Sequence, residues 1–379
     1  MKAGWQINKL ASLCDVFTDG DWIESKDQSA EGIRLIQTGN VGLGEFKDRV
    51  EKARYISEDT FKRLRCTEIY EGDCLISRLP DPAGRACIIP EIGEKLITAV
   101  DCTIVRFRSD KVFPTFFNYY AQSHEYLNNV ASQSTGATRL RISRANLGEI
   151  QIPIPPLPEQ QRIVAILDEA FEGIATATAN AKKNLANARE LFESYLQSVF
   201  THKADDWEKK SIGSVIKLEY GKPLDQAHRK NNGQYPVYGA NGEKSRTSKF
   251  YYDKTSIIVG RKGSAGEINL SEEKFWPLDV TYFVTYDDKE NDLMFLYYLL
   301  GSLKLPLLAK GVKPGINRNE VYALTAYFPD LKTQNTTVTK LNELSIETKK
   351  LEAIYQQKLT ALDELKKSIL NQAFSGQLN

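Results

Sequence analysis

The sequence predicts an α+β protein in which two pseudo-symmetric, strand-rich domains are separated by an antiparallel pair of long helices that form a coiled coil. Three observations predict this fold class. The chain has 379 residues, which is more than one hydrophobic core usually serves. Its second half repeats its first half, and each half ends in a long helical stripe of apolar residues.

The internal repeat is clearest near the end of each half. Residues of the first half recur 174 positions later without a gap, and most matched pairs are identical. The pairs are Ile142 and Ile316, Arg144 and Arg318, Leu147 and Val321, Pro155 and Pro329, Leu157 and Leu331, Gln160 and Gln334, Leu167 and Leu341, and Phe200 and Phe374. A two-fold repeat of one structural unit is therefore predicted.

The mixed part of each repeat is predicted to be a compact domain. The first domain is expected over residues 1–152 and the second over residues 204–330. Both contain short β-type runs, such as Ser256 to Val259, and turn sequences such as Asn231-Asn232-Gly233. This alternation favours a strand-rich α+β domain in each half.

A long helix is predicted in each remaining segment, residues 153–203 and residues 331–379. Prolines prevent a helix before Pro158, which suits the first turn, and Glu159 then favours the positive end of the helix dipole. Apolar side chains recur at three- and four-residue spacing in both segments. The residues expected to pack helix on helix are Leu167, Ile174, Leu185, Phe192, Tyr195, Leu341, Leu351, Tyr355, Leu359, Leu362 and Ile369.

The two helices are expected to pair in antiparallel order. At 1.5 Å per residue each helix spans roughly 66 Å, whereas a domain of this size has a radius of gyration of about 14 Å. The second domain therefore cannot return the chain to the start of the first helix. A coiled coil that joins two separate molecules is the alternative.

Composition indicates a folded protein in which any contact with nucleic acid is local. Hydrophobic residues make up 41% of the chain and the formal net charge is only +1. Between Lys209 and Lys262, twelve Lys and Arg residues accompany four Asp and Glu residues, which favours one basic face. Five cysteines without zinc-ligand spacing and the absence of a long apolar segment predict a cytoplasmic protein with no metal site and no membrane contact.

Two local sequences carry a family resemblance. They are Pro156-Leu157-Pro158-Glu159-Gln160-Gln161-Arg162-Ile163 and the carboxy-terminal Ile369-Leu370-Asn371-Gln372-Ala373-Phe374-Ser375-Gly376-Gln377-Leu378. With the two-domain plan, they resemble the specificity subunit of type I restriction-modification enzymes. The second copy departs from the helix-start pattern, because Pro329-Asp330-Leu331 lacks the Pro-Glu pair and Asp330 is expected to cap the helix instead.

The resemblance implies a function for each part of the chain. The two domains would be target recognition domains, each reading one half of a split, asymmetric site in double-stranded DNA. The helices would act as rulers and as docking surfaces for two modification (methyltransferase) subunits, which methylate adenine, and restriction (motor-nuclease) subunits could join them. S-adenosylmethionine, ATP and magnesium would belong to those partners, and none would bind this chain.

Candidate DNA contacts are basic or amide side chains close to turns, since phosphates favour Lys and Arg while base edges favour Arg, Asn and Gln. The candidates are Arg78, Arg85, Arg139, Arg141, Asn241, Lys244, Arg246, Arg261, Lys262 and Lys313. Ordinary solvated turns are the alternative interpretation. Arg144 and Arg318 are instead expected to anchor each domain to its helix, because a position that both domains share cannot encode two different targets.

No sequence pattern indicates catalysis. The nearest approach to a methyltransferase loop, Leu79-Pro80-Asp81-Pro82, lacks the required residues, and Gly242-Glu243-Lys244-Ser245 lacks the spacing of a phosphate-binding loop. We therefore expect a DNA-binding subunit that is not an enzyme. The alternatives are a coiled-coil scaffold that binds only proteins and a DNA-binding protein with cryptic nuclease activity.

Overall fold

The structure is a computed structural model that describes residues 4–136, 140–201, 206–230 and 232–378. It divides into two compact units. Unit 1 comprises residues 1–181 and 357–379, and unit 2 comprises residues 182–356. Each unit therefore contains one strand-rich domain, called domain 1 or domain 2 below, and a segment of each long helix.

Domain 1 is built mainly of short antiparallel strands. Its strands are β1 (Gln6–Lys9), β2 (Cys14–Asp19), β3 (Gln28–Ser29), β4 (Ile33–Ile36), β5 (Arg54–Ile56), β6 (Cys74–Ser77), β7 (Ala86–Ile88), β8 (Leu96–Thr98), β9 (Cys102–Phe107) and β10 (Gln151–Ile154). Its helices are α1 (Glu58–Leu64), α2 (Pro114–Tyr120), α3 (His124–Ser132) and α4 (Arg144–Glu149), and the long α5 (Leu157–Thr201) follows. The sheets have the strand orders β2-β9-β6-β7, β3-β5-β4-β8 and β1-β10.

Domain 2 has the same type of construction. Its strands are β11 (Glu208–Ser211), β12 (Ile216–Tyr220), β13 (Tyr235–Gly239), β14 (Gly242–Thr247), β15 (Ser256–Gly260), β16 (Ile268–Ser271), β17 (Trp276–Pro277), β18 (Thr281–Tyr286) and β19 (Thr325–Phe328). Its helices are α6 (Ile212–Val215), α7 (Leu293–Ser302) and α8 (Arg318–Ala323), and the long α9 (Leu331–Phe374) follows. The sheets have the orders β12-β18-β15-β16, β14-β13-β17 and β11-β19.

The two domains share one topology. The main sheet β2-β9-β6-β7 of domain 1 corresponds strand for strand to β12-β18-β15-β16 of domain 2, and both are antiparallel. In both domains the first strand pairs with the last, β1 with β10 and β11 with β19. A parallel pair, β4 with β8 or β13 with β17, lies in the second sheet of each. The predicted α+β class and two-fold repeat are confirmed.

The central strand of each main sheet is buried on both faces, which explains its continuous apolar sequence. In β6, Cys74 and Ile76 pack into one hydrophobic cluster, and Leu75 between them packs into another. In β15, Ile257 and Ile258 likewise belong to different clusters. The first cluster of each domain also receives side chains of the long helices, so sheet and helix share a core.

A buried glutamine joins each domain to the start of its long helix. The Gln160 side chain accepts a hydrogen bond from the Phe113 N–H at 2.8 Å and donates to the carbonyls of Lys111 and Pro155, both at 2.8 Å. Its relative Gln334 accepts from the Asp292 N–H at 2.9 Å and donates to the carbonyls of Glu290 and Pro329.

Both amides are almost entirely removed from solvent, with exposures of 0% for Gln160 and 1% for Gln334. A buried amide requires hydrogen-bond partners on both its oxygen and its nitrogen. Three backbone groups supply them in each domain. The repeat therefore extends from topology to individual hydrogen bonds.

Within each unit the long helices run antiparallel. In unit 1, Ile163 and Leu167 near the start of α5 share a core with Ala373 and Phe374 at the end of α9. In unit 2, Leu196 near the end of α5 packs with Leu341 near the start of α9. Arg189 and Glu352 form an ion pair of 3.0 Å there. The predicted antiparallel order is confirmed.

Most of the predicted packing positions are at least half-buried. Leu167 and Leu341 are fully buried. The half-buried positions are Ile174, Leu185, Phe192, Tyr195, Tyr355, Leu359, Leu362 and Ile369. Leu351 differs, because its side chain is 38% exposed and the buried position of that turn is Thr348.

The cysteines belong to the packed interior of domain 1. All five are free and buried. Burial raises the pKa of Cys14 and of Cys87 to about 12, so both thiols remain protonated near neutral pH. Among the described residues, none of the helices combines the length and apolar character needed to cross a membrane.

Replacing Gln160 with leucine should lower the free energy of unfolding by about 2 kcal/mol, because the Phe113 N–H and two carbonyls lose their partner. The adjacent Gln161 is exposed and provides a matched control. Gln161→Leu should change stability by less than about 0.5 kcal/mol. Urea unfolding of the full chain measures both, and equal effects would contradict a structural role for Gln160.

Candidate nucleic-acid interface

The same loop is built at the same place in both domains. We call it the anchored loop; its described residues are 135, 136, 140 and 141 in domain 1 and 310–315 in domain 2. Its ends are closed by a pair of backbone hydrogen bonds, between Thr135 and Arg141 at 2.8 and 2.9 Å and between Lys310 and Gly315 at 3.0 Å. The ends of both loops are therefore held together in the same way.

An arginine carbonyl fixes the end of each anchored loop. The Ile142 N–H donates to the Arg78 carbonyl at 3.2 Å, and the Ile316 N–H donates to the Arg261 carbonyl at 3.0 Å. Side chains on the loops are exposed, with Leu140 at 52% and Val312 at 104% of the reference area. Arg139, a predicted DNA contact, lies outside the described residues.

The Arg78 side chain is not available to DNA, which corrects the sequence prediction. It is only 4% exposed, donates to the Val100 carbonyl at 2.5 Å and lies 3.3 Å from the Asp19 carboxylate. Burial lowers the pKa of this guanidinium below its ordinary value. Arg78 therefore supports the anchored loop from inside the domain.

Arg85 also has a structural role in place of the predicted contact. Its guanidinium donates to the carbonyls of Val41, Leu79 and Thr38 at 2.6 to 2.9 Å, and to that of Pro82 at 3.0 Å. Four acceptors occupy most of its N–H groups. The side chain ties two loops of domain 1 together.

Domain 2 uses Arg261 in the position of Arg78. Its side chain donates twice to the Asp279 carbonyl, at 3.0 and 2.6 Å, and its guanidinium lies 5.4 Å from the Tyr220 ring centre. Stacking of this kind holds a guanidinium in place. Arg261 therefore has a structural role, and its contact with DNA stays a prediction.

Arg246 is similarly engaged by its own domain. It donates to the carbonyls of Gly233 and Gln234 at 2.9 and 2.8 Å, and it pairs with the carboxylates of Glu243 and Glu273 at 3.3 and 2.8 Å. Hydrogen bonding to Glu273 raises the pKa of Arg246. It fastens the β13–β14 hairpin and has little capacity left for DNA.

The paired arginines Arg144 and Arg318 anchor a short helix to the main sheet, and their contacts are not with the long helices as predicted. Arg144, the first residue of α4, donates to the Thr18 hydroxyl at 3.3 Å and lies 4.0 Å from the Asp19 carboxylate at the end of β2. Arg318, the first residue of α8, lies 5.1 Å from the Tyr220 ring centre at the end of β12.

The exposed candidates are Arg141, Asn241, Lys244, Lys262 and Lys313. Arg141 is half-exposed and pairs with Asp101 at 3.0 Å. Lys262 lies beside the anchored loop that carries Lys313, because it forms a β-bridge with Gly315. Asn241 occupies a tight turn whose next residue, Gly242, has a φ of 102°.

Sequence reasoning missed one basic feature of domain 1. A cavity of about 320 Å³ is lined by the cations Arg49, Lys52 and Arg54 together with Gln37, Gly39, Asn40 and Ala53. The signal was present, since the segment Lys47 to Arg54 contains four Lys and Arg residues in eight positions. In the wall of this cavity Asn40 is buried and bonded to the backbone of Gln37 and Lys47.

Within the described ranges, no group of three or more His, Cys, Asp and Glu side chains is arranged to hold a metal ion. The candidate interface therefore consists of exposed cations, turns and the two anchored loops. A sequence model of the family described as "Type I restriction modification DNA specificity domain" matches residues 2–187 and again residues 204–361.

The chain belongs to this family. Two copies of the domain in one chain make it a specificity subunit of a type I restriction-modification system, as the resemblance in the sequence predicts. Such a subunit is the DNA-recognition component of the system, distinct from its catalytic components.

Curated specificity subunits align with most of this one. The MjaX specificity subunit of Methanocaldococcus jannaschii is 21% identical over 99% of this chain and 93% of its own length. The StySPI specificity subunit of Salmonella potsdam is also 21% identical, over 70% of this chain and 66% of its own length.

Solved structures show the same fold. A chain from a study of complex assembly and conformational transition in a type I restriction-modification system superposes with a TM-score of 0.84 at 17% identity, covering 100% of this chain and 99% of that chain. The HsdS subunit of Thermoanaerobacter tengcongensis superposes with a TM-score of 0.67 at 18% identity, covering 100% and 98%.

The division between structural and exposed cations in this specificity subunit can be tested by stability. Arg85→Ala should lower the free energy of unfolding by about 2 kcal/mol, because four carbonyls lose a charged donor. Lys262→Ala, at an exposed position, should change it by less than about 0.5 kcal/mol. Urea unfolding distinguishes them, and a fully stable Arg85→Ala variant would return Arg85 to the list of candidate DNA contacts.

Proposed function

We propose that this specificity subunit reads a bipartite, asymmetric target in double-stranded DNA, one half with each domain, and directs adenine methylation of that target by partner subunits. The observation that carries the proposal is the anchored loop. It occurs twice on one framework, held by equivalent backbone hydrogen bonds to Arg78 and Arg261. A reader of two half sites needs such a duplicated support.

The loops themselves differ between the domains, which supports an asymmetric target. Domain 2 presents Lys313 and the fully exposed Val312, whereas the described part of the domain 1 loop presents Leu140 and Arg141. Different side chains on the same support would read different bases. The shared residues Arg144 and Arg318 contact the main sheet of their own domain.

The exposed cations supply the contacts that any DNA-binding surface requires. Lys262 and Lys313 adjoin in domain 2, and Lys244 lies on the β13–β14 hairpin. Lysine contacts to phosphate position a protein on the duplex, while amides such as that of Asn241 suit a base edge. These residues, with Arg141 in domain 1, are the proposed contacts.

The long helices are proposed to bind two modification subunits. Both carry large apolar side chains that the chain itself leaves exposed: Leu191, Ile346, Ile354 and Leu365. Exposed apolar groups of this kind suit a protein interface. S-adenosylmethionine would bind the modification subunits, and restriction subunits, where they join, would use ATP and magnesium. The assembled complex would act on DNA in the cytoplasm.

Genome-wide methylation sequencing tests the proposal directly. A host that carries this chain and its modification subunit should show one split methylated motif, and an in-frame deletion of this chain should remove that motif alone. Expression of the modification subunit must be verified in both strains. An unchanged methylome in the deletion strain would favour a scaffold that does not select DNA.

The two helices are further proposed to set the unread spacer between the half sites. Deleting one heptad from each helix shortens each helix by about 10 Å. This length corresponds to about three base pairs of DNA. The modified motif should then have a shorter spacer, or modification should be lost. A functional double deletion with the original spacer would contradict the ruler role. A deletion in one helix only should disrupt the antiparallel pairing and provides the control.

A further inference from the structure

The basic cavity of domain 1 has an unusual charge distribution. Arg49, Lys52 and Arg54 line it together. Among the described residues, no carboxylate lies within 4.0 Å of their charged groups. Of the neighbouring acids, Asp48 pairs with the buried Arg34 and Glu45 pairs with Lys47, while Glu51 is exposed. Three exposed cations around one concave surface create a locally positive potential that attracts an anionic partner.

Gly39 allows one of these cations to lie against the backbone. A Cβ atom at this position would stand 2.7 Å from Nη1 and 3.3 Å from Cζ of Arg49. Gly39 is not among the residues with positive φ, so alanine would fit its backbone conformation. The glycine is therefore needed for the position of the Arg49 guanidinium.

The uncharged part of the cavity lining is fixed. The Asn40 amide accepts from the Gln37 N–H at 3.0 Å and donates to the Lys47 carbonyl at 2.9 Å. Arg85 holds the same segment from behind, through the carbonyls of Thr38 and Val41. Because Arg85 also binds the turn that follows Arg78, the cavity adjoins the support of the anchored loop.

Domain 2 places a cation at the corresponding point of its fold. The carbonyls of Ile36 and Tyr238 occupy equivalent positions. The first accepts the N–H of Ala99, which follows β8, and the second accepts the N–H of Leu278, which follows β17. Both β8 and β17 are the parallel partners in their sheets. Beyond Tyr238 the chain enters the hairpin on which Lys244 lies against Gly239, whose added Cβ would be 2.9 Å from Cγ of the lysine. Two domains with different loops thus share a basic contact point here.

We infer that the cavity binds a phosphate of the DNA backbone, beside the half site that domain 1 reads. This inference rests on the proposed function. A phosphate fits because three unneutralised cations exceed what a neutral base edge requires, and because a guanidinium can donate two parallel hydrogen bonds to phosphate oxygens. Arg49 is the bidentate donor, with Lys52 and Arg54 as point charges.

The test measures the salt dependence of DNA binding by the full chain in complex with its modification subunits. The probe is a 40-base-pair duplex without the methylated motif, because phosphate contacts do not depend on sequence. Arg49→Gln, Lys52→Gln and Arg54→Gln should each reduce the slope of log K against log salt by about 0.9. Lys62→Gln and Lys111→Gln, at exposed lysines of the same domain outside the cavity, should leave it unchanged.

Gly39→Ala provides a test that keeps every charge. It should displace the Arg49 guanidinium and lower the affinity for the same duplex, by less than Arg49→Gln does. Unfolding curves for all variants show whether the domain is intact. An affinity for Gly39→Ala equal to that of the wild type would overturn the assigned position of Arg49.

The possible failures are distinguishable. If the three cavity variants Arg49→Gln, Lys52→Gln and Arg54→Gln keep the wild-type slope while Lys262→Gln and Lys313→Gln reduce it, the cavity assignment is wrong and the proposed function stands. If the cavity variants weaken binding only to the motif-containing duplex, at an unchanged slope, the cavity reads a base and the phosphate assignment is wrong. If the wild-type complex shows no salt-dependent DNA binding, both the inference and the proposed function are wrong.

Discussion

The buried amides of Gln160 and Gln334 are the constraint on which the architecture depends. Each amide lies in the first turns of a long helix. It binds the backbone just before α2 in domain 1, or just before α7 in domain 2. It also binds the carbonyl of the proline that precedes its own helix. Because a buried amide without partners costs free energy, the domain cannot rotate on its helix without breaking the two hydrogen bonds that join each amide to the body of the domain. A helix can set the position of a recognition surface only if this joint is rigid.

The arginines of the interface region show how one framework supports two different surfaces. Arg78 and Arg144 converge on the Asp19 carboxylate in domain 1, whereas Arg261 and Arg318 converge on the Tyr220 ring in domain 2. A carboxylate and an aromatic face are both attractive to a guanidinium, so the exchange keeps both arginines in place. The loops above them are then free to vary without loss of support. This separation of support from surface is what a reader of two unlike sequences requires.

The sequence predicted the parts of the fold that depend on periodicity and repetition. The ungapped repeat predicted two equivalent domains, and the apolar stripes that begin after prolines predicted two antiparallel helices. Both signals can be detected in the sequence alone, because one compares the chain with itself and the other lies within a single segment. The site was harder, since the role of an arginine depends on partners distant in sequence. Arg85 and Arg246 stand near glycine turns as DNA-binding arginines often do, but their partners are backbone carbonyls up to 47 residues away. The Arg49 cavity was missed because it forms only when the segment of residues 37–40 folds against Arg54.

Several arginines bind groups of their own domain, and this affects discrimination between target and non-target DNA. Non-specific affinity for DNA rises with the number of cations that can release counterions from phosphates. In this chain the net charge is only +1, and Arg78, Arg85, Arg246 and Arg261 bind groups of their own domain, so these four arginines contribute less to that purpose. Weak background binding increases the ratio between target and non-target sites, and that ratio determines selection in a genome with many competing sites. Tying arginines into the framework therefore strengthens the domain and limits non-specific binding at the same time.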